Sequence, residues 1–333
     1  MKAVFGFVRF CLLVMATAFV ARTEVAVAAE QPIPINIGYL PGTYYAFYVA
    51  RDQKLFEKAG LAPTFIKFAA GPPMFSAFQS RSIDVSWGGA VPAIVGAAQG
   101  VPLKIIALES VTDNALVVKN NGSVQKLSDL AGKKIGTVKG SGAYFAMVKL
   151  MQMSGLENKY DFIDMQMPSL LPAFGQGNVD GIWVWEPWAS RAVADGGRRL
   201  GDELNIFGAY PGAPIMARSD WITSNTEAVR RFLVAMKMAQ EAYAKDPSNA
   251  ISAMAKEVGI SEDMARDIFD RDPKPTFAHQ VAPNDAYSIV GKEAPQVKYF
   301  QSVGDFFHDS GFITTAPDMS KVFDSDPLVQ VMK

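Results

Sequence analysis

Ile37-Gly38-Tyr39-Leu40-Pro41-Gly42-Thr43 and Ile135-Gly136-Thr137-Val138-Lys139-Gly140-Ser141 share the pattern I-G-x-x-x-G-[ST] at an offset of 98 residues. Downstream, Ala77-Phe78, Ile83-Asp84 and Trp87 recur as Ala173-Phe174, Val179-Asp180 and Trp183 at an offset of 96. Two short matches in the same order, at nearly equal offsets, mark an internal repeat. In each copy a strand-like apolar run passes through a glycine turn into a helix-like run, the alternation of α/β layering. The repeat predicts two similar α/β lobes.

Around these anchors the pattern predicts strands at 35–39, 64–68, 83–87 and 103–108. Helices are expected at 45–59 closed by Gly60, at 74–79, and at 90–98 before Gly100. The second copy gives strands at 134–138, 161–166 and 180–185 with helices at 143–153 and 169–176. Beyond Asp220 the chain reads as helical. Val229, Phe232, Leu233, Met236 and Tyr243 fall at helical spacing across 226–245, and further helices are expected at 247–258, 261–271 and 285–308. This tail lacks the glycine-turn motifs, so its expected role is packing.

The 333 residues carry 32 Lys and Arg against 33 Asp and Glu, a net charge of −1, and 49% are hydrophobic. Balanced charge argues against nucleic acid as a partner, since phosphate neutralisation needs a basic excess. One Cys and two distant His, His279 and His308, leave no thiolate cluster and no H-E-x-x-H metal motif. Residues 1–29 read as an export signal. Lys2 and Arg9 precede the apolar run 10–21, and Ala26-Val27-Ala28-Ala29 offers cleavage after Ala28 or Ala29. The run falls short of the roughly 20 residues that span a bilayer. Removing residues 1–29 leaves 29 basic against 32 acidic residues, a net of −3, and no cysteine.

A strand that ends in a glycine turn and opens a helix presents unpaired amides at the positive end of the helix dipole. Gly42-Thr43 with Tyr44, and Ser141-Gly142 with Ala143 and Tyr144, are such turns, each with a hydroxyl beside it. They serve equally as plain caps or as contacts for an anion. Gly71-Pro72 and Trp87-Gly88-Gly89 offer two more turns at strand ends, where ligands of open α/β sheets sit. Tyr39, Tyr44, Trp87, Trp188 and Tyr210 are candidate cleft walls. Glu186 suits either a ligand's cationic group or the start of a helix opened by Pro187. Asp84 and Asp180, at strand starts, are read as structural. Gly140-Ser141-Gly142 matches neither G-x-S-x-G nor a phosphate loop, so no catalytic residue is assigned.

Ile37-Gly38-Tyr39, Leu55-Phe56-Glu57-Lys58-Ala59-Gly60-Leu61, Ile83-Asp84-Val85, Gly100-Val101-Pro102-Leu103-Lys104, Leu127-Ser128-Asp129-Leu130-Ala131-Gly132-Lys133-Lys134, Val179-Asp180-Gly181 and Trp185-Glu186-Pro187-Trp188 carry a resemblance. With them the chain resembles the periplasmic solute-binding proteins of ABC importers for taurine, aliphatic sulfonates and nitrate. The resemblance implies a two-lobed type II periplasmic binding fold whose lobes are joined by two crossover strands. Lobe one would hold 30–115 plus 215–333 and lobe two 116–214, with hinges near 114–118 and 211–216. It further implies a periplasmic monomer without cofactor or metal. Such a receptor delivers a small organic anion to an inner-membrane permease with its ATPase, and is not an enzyme. The sulfonate would lie on the amides and hydroxyls of Ser141-Gly142-Ala143-Tyr144. Taurine binders hold the amine with an acid whose matching position here is Ala213, leaving Glu186 as the substitute. Receptors for a thiamine-precursor pyrimidine, nitrate or an aromatic carboxylate are the alternatives. Pyrimidine-synthase relatives share the architecture but carry a cysteine cluster that the mature chain lacks.

Overall fold

The computed structural model describes residues 31–333 apart from 69–70, 112, 205–207 and 209–210; the expected export signal and Tyr210 lie outside the described residues. In chain order the strands are β1 (Ile33–Tyr39), β2 (Leu61–Lys67), β3 (Val85–Trp87), β4 (Leu103–Val111), β5 (Asn114–Lys119), β6 (Lys134–Thr137), β7 (Asp161–Asp164), β8 (Gly181–Trp185), β9 (Gly197–Asp202) and β10 (Gly212–Arg218). They form two five-stranded sheets, ordered β2-β1-β3-β10-β4 and β7-β6-β8-β5-β9. β10 runs antiparallel to β3 and β4 in the first sheet, and β5 antiparallel to β8 and β9 in the second. β1 pairs in parallel with β2 and β3, as β6 does with β7 and β8.

The repeat is visible bond by bond. The Asp84 carboxylate accepts the Asn36 amide at 2.8 Å, and Asp180 accepts the Lys134 amide at 2.9 Å. The main chain returns each bond, from Asp84 N to Asn36 O and from Asp180 N to Lys134 O. Each aspartate thus pins the start of its sheet's central strand, β3 or β8, to the parallel neighbour, β1 or β6. Asp84 also faces Arg218 at 3.2 Å, as one of its two oxygens takes the guanidinium. The repeated glycines allow close packing one strand over. A Cβ on Gly38 would meet Ile83 Cδ1 at 2.9 Å, and one on Gly136 would meet Leu170 Cδ1 at 2.4 Å.

The helices relevant to the cleft are α1 (Tyr45–Asp52), α2 (Leu55–Lys58), α3 (Gly71–Gln79), α4 (Ala90–Ala98), α5 (Gly142–Met153), α6 (Met167–Gln176) and α7 (Trp188–Ala194). The tail supplies α8 (Ser219–Ser224), α9 (Thr226–Lys245), α10 (Ser248–Val258), α11 (Glu262–Arg271), α12 (Phe277–Val281) and α13 (Pro295–Asp309). The single helix expected at 45–59 is two: Lys54 adopts φ 56°, and the break turns Leu55 and Phe56 inward, where both are buried. The helix expected at 285–308 begins at Pro295. Gly291 at φ 88° interrupts the earlier stretch, and proline favours the first helical position. Asn114–Val118 pairs residue for residue with Trp185–Gly181, so β5 belongs to the second sheet from its first residue and the crossing precedes Asn114. The return crossing lies between β9 and β10, because Gly212 is already paired to Val111 in the first sheet.

One large core covers the first sheet, its helices and most of the tail, with Phe47, Trp87, Phe232 and Phe300 fully buried. The second sheet has a cluster on each face, around Trp183 and Met147 on one and Phe174 and Ile182 on the other. Each fully buried side chain of this size contributes about 1.5–3 kcal/mol. α13 joins the two lobes: Phe306 lies 5.3 Å from Phe145 of α5 and 5.9 Å from Tyr144.

Asp84→Ala removes a bond from a buried carboxylate and leaves Arg218 one acceptor short, whereas Asp180 is half-buried and faces no cation among the described residues. Asp84→Ala is therefore expected to destabilise by about 1–3 kcal/mol and Asp180→Ala by no more than about 1 kcal/mol. Urea midpoints at fixed m-value measure the difference; equal losses would contradict this assignment.

Candidate functional site

The carboxyl ends of the parallel strands in both sheets face a cavity of about 510 Å³. Its walls come from 40–44 and 89–92 of the first lobe and from 140–142, 185–188 and Arg191 of the second. Val111, Asp113, Asn114 and Pro211 stand at the crossings, and Glu257, Val258 and Tyr299 come from the tail.

The two repeated helix starts differ in what occupies them. In the second lobe Ser141 caps α5: its Oγ accepts the Tyr144 amide at 3.1 Å and donates to Val138 O at 2.7 Å. The hydroxyl proton is thus committed to the main chain, and the amides of Gly142 and Ala143 have no intrahelical partner. In the first lobe the position is partly filled from within. Glu109, at the end of β4 and 3% exposed, accepts the Phe47 amide of α1 at 2.9 Å. Burial pushes its carboxyl up to about 8, against the pull of that amide. Burial likewise raises the Tyr44 phenol, with Glu109 adding to the shift. Glu109 bonds the Ala46 amide as well, so α1 keeps one unpaired amide at its start where α5 keeps two. The Thr43 hydroxyl lies on the cavity wall without a hydrogen-bond partner among the described residues.

Where the chain crosses between sheets, four charged groups interlock. Arg199 of β9 donates to Asp113 Oδ2 at 2.9 Å and to Glu186 Oε1. Arg271 of α11 reaches the same two oxygens at 3.3 and 2.5 Å. Glu186 also accepts the Ser190 amide at 3.1 Å and its hydroxyl at 3.0 Å. The peptide bond from Glu186 to Pro187 is cis, and Pro187 opens α7. Burial raises the Glu186 carboxyl while both guanidiniums oppose the shift. Behind this cluster Asp272 accepts the Tyr45 hydroxyl at 2.7 Å, and burial with the Asp113 charge pushes its carboxyl up to about 8. Asn114 donates to Glu203 at 2.6 Å, and Tyr299 of α13 donates to the other Glu203 oxygen at 3.2 Å.

The lobes also meet through Arg191, which follows the Ser190 that bonds Glu186. Arg191 donates to Val258 O and Gly259 O, at 3.1 and 3.0 Å, where α10 ends in a left-handed glycine. A guanidinium suits the negative end of a helix. The same group stacks 4.9 Å over Trp188.

Of the residues proposed from sequence, Gly42, Thr43, Tyr44, Gly89, Ser141, Gly142, Glu186 and Trp188 line the cavity. Tyr39 and Trp87 do not: both are buried against Phe47, with ring centroids 4.9 and 4.3 Å away. Gly88 sits beneath Met74 and Met216. The Ala143 side chain belongs to the second-lobe core, and the Tyr144 ring packs on Phe162 and Phe306. Gly71 and Pro72 stand in the first turn of α3. Ala213 is buried in β10, opposite Ser110. Sequence reasoning missed Asp113, Asn114, Arg191, Glu257 and Tyr299, and it assigned the tail to packing alone. The Arg191 spacing from Trp188, one helical turn, was the available signal for a stacked pair. Among the described residues no group of three or more His, Cys, Asp or Glu is placed to hold a metal ion.

Comparison with known proteins agrees with this layout. The NMT1-like family matches residues 28–259. An aliphatic sulfonates-binding protein of Escherichia coli (strain K12) is 29% identical over 265 residues, 76% of this chain and 80% of that protein. The taurine-binding periplasmic protein of the same organism is 27% identical over 264 residues, covering 75% and 79%. The crystal structure of the periplasmic aliphatic sulphonate binding protein SsuA from Escherichia coli superposes with a TM-score of 0.76 at 23% identity. That match covers 88% of this chain and 92% of SsuA. The fold is the two-lobed type II periplasmic binding fold.

Glu109 and Asp272 keep their protons in the folded chain up to about pH 8, against ordinary values of 4.5 and 3.8. The folded state then binds more protons than the unfolded one between these limits, so stability falls as pH rises through the window. Thermal midpoints are expected to drop from about pH 5 to about pH 8, and Glu109→Gln, which stays neutral, should flatten part of the slope. An identical slope in the variant would disprove the contribution of Glu109.

Proposed function

The chain belongs to the NMT1-like family, and on that premise we propose that it is an extracytoplasmic solute-binding receptor for a small organic anion of the sulfonate type. It hands the ligand to the permease and ATPase of an ABC importer and acts as a monomer in the periplasm, after loss of residues 1–29. Its lobes are built on the two sheets, one ending at β4 and resuming at β10, the other running from β5 to β9, with the two crossings serving as hinges. The task is capture and release, with no covalent step and no cofactor. The names of the relatives, sulfonates-binding and taurine-binding, support the ligand class.

The observation that carries the reading is the open start of α5 facing aromatic walls across an interlobe cavity. Backbone amides at a helix start bind an oxyanion through fixed dipoles, without the desolvation that a buried lysine would bring. The Gly142 and Ala143 amides take the anionic head, Thr43 adds a hydroxyl from the other lobe, and Trp188 with Tyr44 flanks the body. A ligand contacted by both lobes favours the arrangement in which they meet, which is how binding becomes a conformational signal.

Two substitutions test it. Proline is tolerated at the first helical position and lacks an N–H, so Gly142→Pro deletes a donor while keeping α5. Gly142→Pro is expected to weaken an alkylsulfonate by about 10- to 100-fold in calorimetry, the scale of one charge-assisted hydrogen bond. Unchanged affinity in a folded variant would remove the anion site from α5. Trp188→Ala should weaken a bulky sulfonate more than it weakens nitrate; equal losses would take Trp188 off the ligand wall.

A further inference from the structure

Four charged side chains reach the cavity, Asp113, Glu186, Arg191 and Glu257, and each is already matched inside the protein. Asp113 and Glu186 share Arg199 and Arg271. Glu257 holds Arg51 at 2.6 Å and Lys67 at 2.9 Å. Arg191 is bonded to two helix-terminal carbonyls and stacked on Trp188. Asp113 Oδ1 has no partner among the described residues, but that atom is shut off from solvent and its carboxylate is balanced by two guanidiniums on Oδ2. A ligand's body therefore meets no unmatched charge. At the first-lobe helix start Glu109 bonds the amides of both Ala46 and Phe47, leaving a second anionic group the Tyr45 amide alone, whereas α5 keeps the amides of both Gly142 and Ala143. The space of about 510 Å³ is within the range of clefts that enclose ring-containing molecules. Rings line it from both lobes: Tyr44, Trp185, Trp188 and Tyr299.

We propose that the ligand is a monoanion with an uncharged, ring-sized body, of which an arylsulfonate is the simplest form, and that the site discriminates against zwitterions, dianions and bare inorganic anions. This rests on the receptor reading above and narrows it. An ammonium group would lose its water without gaining a free carboxylate, and a second sulfonate would lose its water and gain one free amide at most. Nitrate or sulfate would leave the apolar wall at Leu40, Pro92 and Trp188 uncovered, so the hydrophobic part of the binding energy would be missing. Glu186, the residue first considered for an amine, is excluded from that role by its two arginines.

Calorimetry on the purified protein with benzenesulfonate, taurine, benzene-1,3-disulfonate and nitrate separates the outcomes. Benzenesulfonate is expected to bind at least about 100-fold more tightly than the other three, the scale set by unpaired polar groups in a closed site. Taurine, the disulfonate or nitrate binding as tightly as benzenesulfonate overturns this proposal and leaves the receptor reading standing. Binding of none of the four overturns both. Arg199→Gln, which leaves Asp113 and Glu186 one guanidinium short, should shift the benzenesulfonate-to-taurine ratio toward taurine by about 10-fold. An unchanged ratio in the folded variant overturns the claim that ion pairing sets the discrimination.

Discussion

Asp113 and Glu186 are carboxylates buried where the chain passes from one sheet to the other, and Arg199 and Arg271 hold both of them. Two acids at this spacing in low dielectric are tolerable only with matching cations. The match draws together parts far apart in sequence: the first crossing, the end of β8, the edge strand β9 and the tail helix α11. The arrangement holds the crossing together and leaves the charged groups beside it matched within the protein.

The same logic governs the two helix starts. Both copies of the repeat build a strand, a glycine turn and a helix, and the local chemistry of each offers unpaired amides. Glu109 satisfies two amides of one start from within, so the cleft is asymmetric, with two unpaired amides at α5 and one at α1. Arg191 ties α7 to the end of α10. Unpaired amides on one wall and rings on both are the features the cavity presents.

Much of the fold was legible because its signals are local. The glycine turns, the helices at 90–98 and 226–245, and the paired roles of Asp84 and Asp180 all follow from periodicity and from the repeat. Gly42, Thr43, Ser141, Gly142 and Trp188 were reachable in the same way, since ligand clefts lie at strand ends. Asp113, Glu257 and Tyr299 carried no such signal, because a single acid or tyrosine in a loop or helix looks the same whether it faces a cavity, a cation or water. Trp87 shows the converse: an aromatic at a strand end was read as a cleft wall, yet the packing of Phe47 encloses it.

The sequence by itself determined the two-lobed α/β plan, the strand ends at which the cavity lies and the confinement of its one cysteine to position 11. These depend on residue type and short-range spacing. Tertiary structure alone decided which charges are matched, that Glu186 is held by two arginines, that Glu109 bonds the start of α1, and that the tail reaches the cavity through Glu257, Val258 and Tyr299. The reason is physical: an electrostatic partner is chosen by distance and burial after folding, and neither quantity is written in the order of residues along the chain.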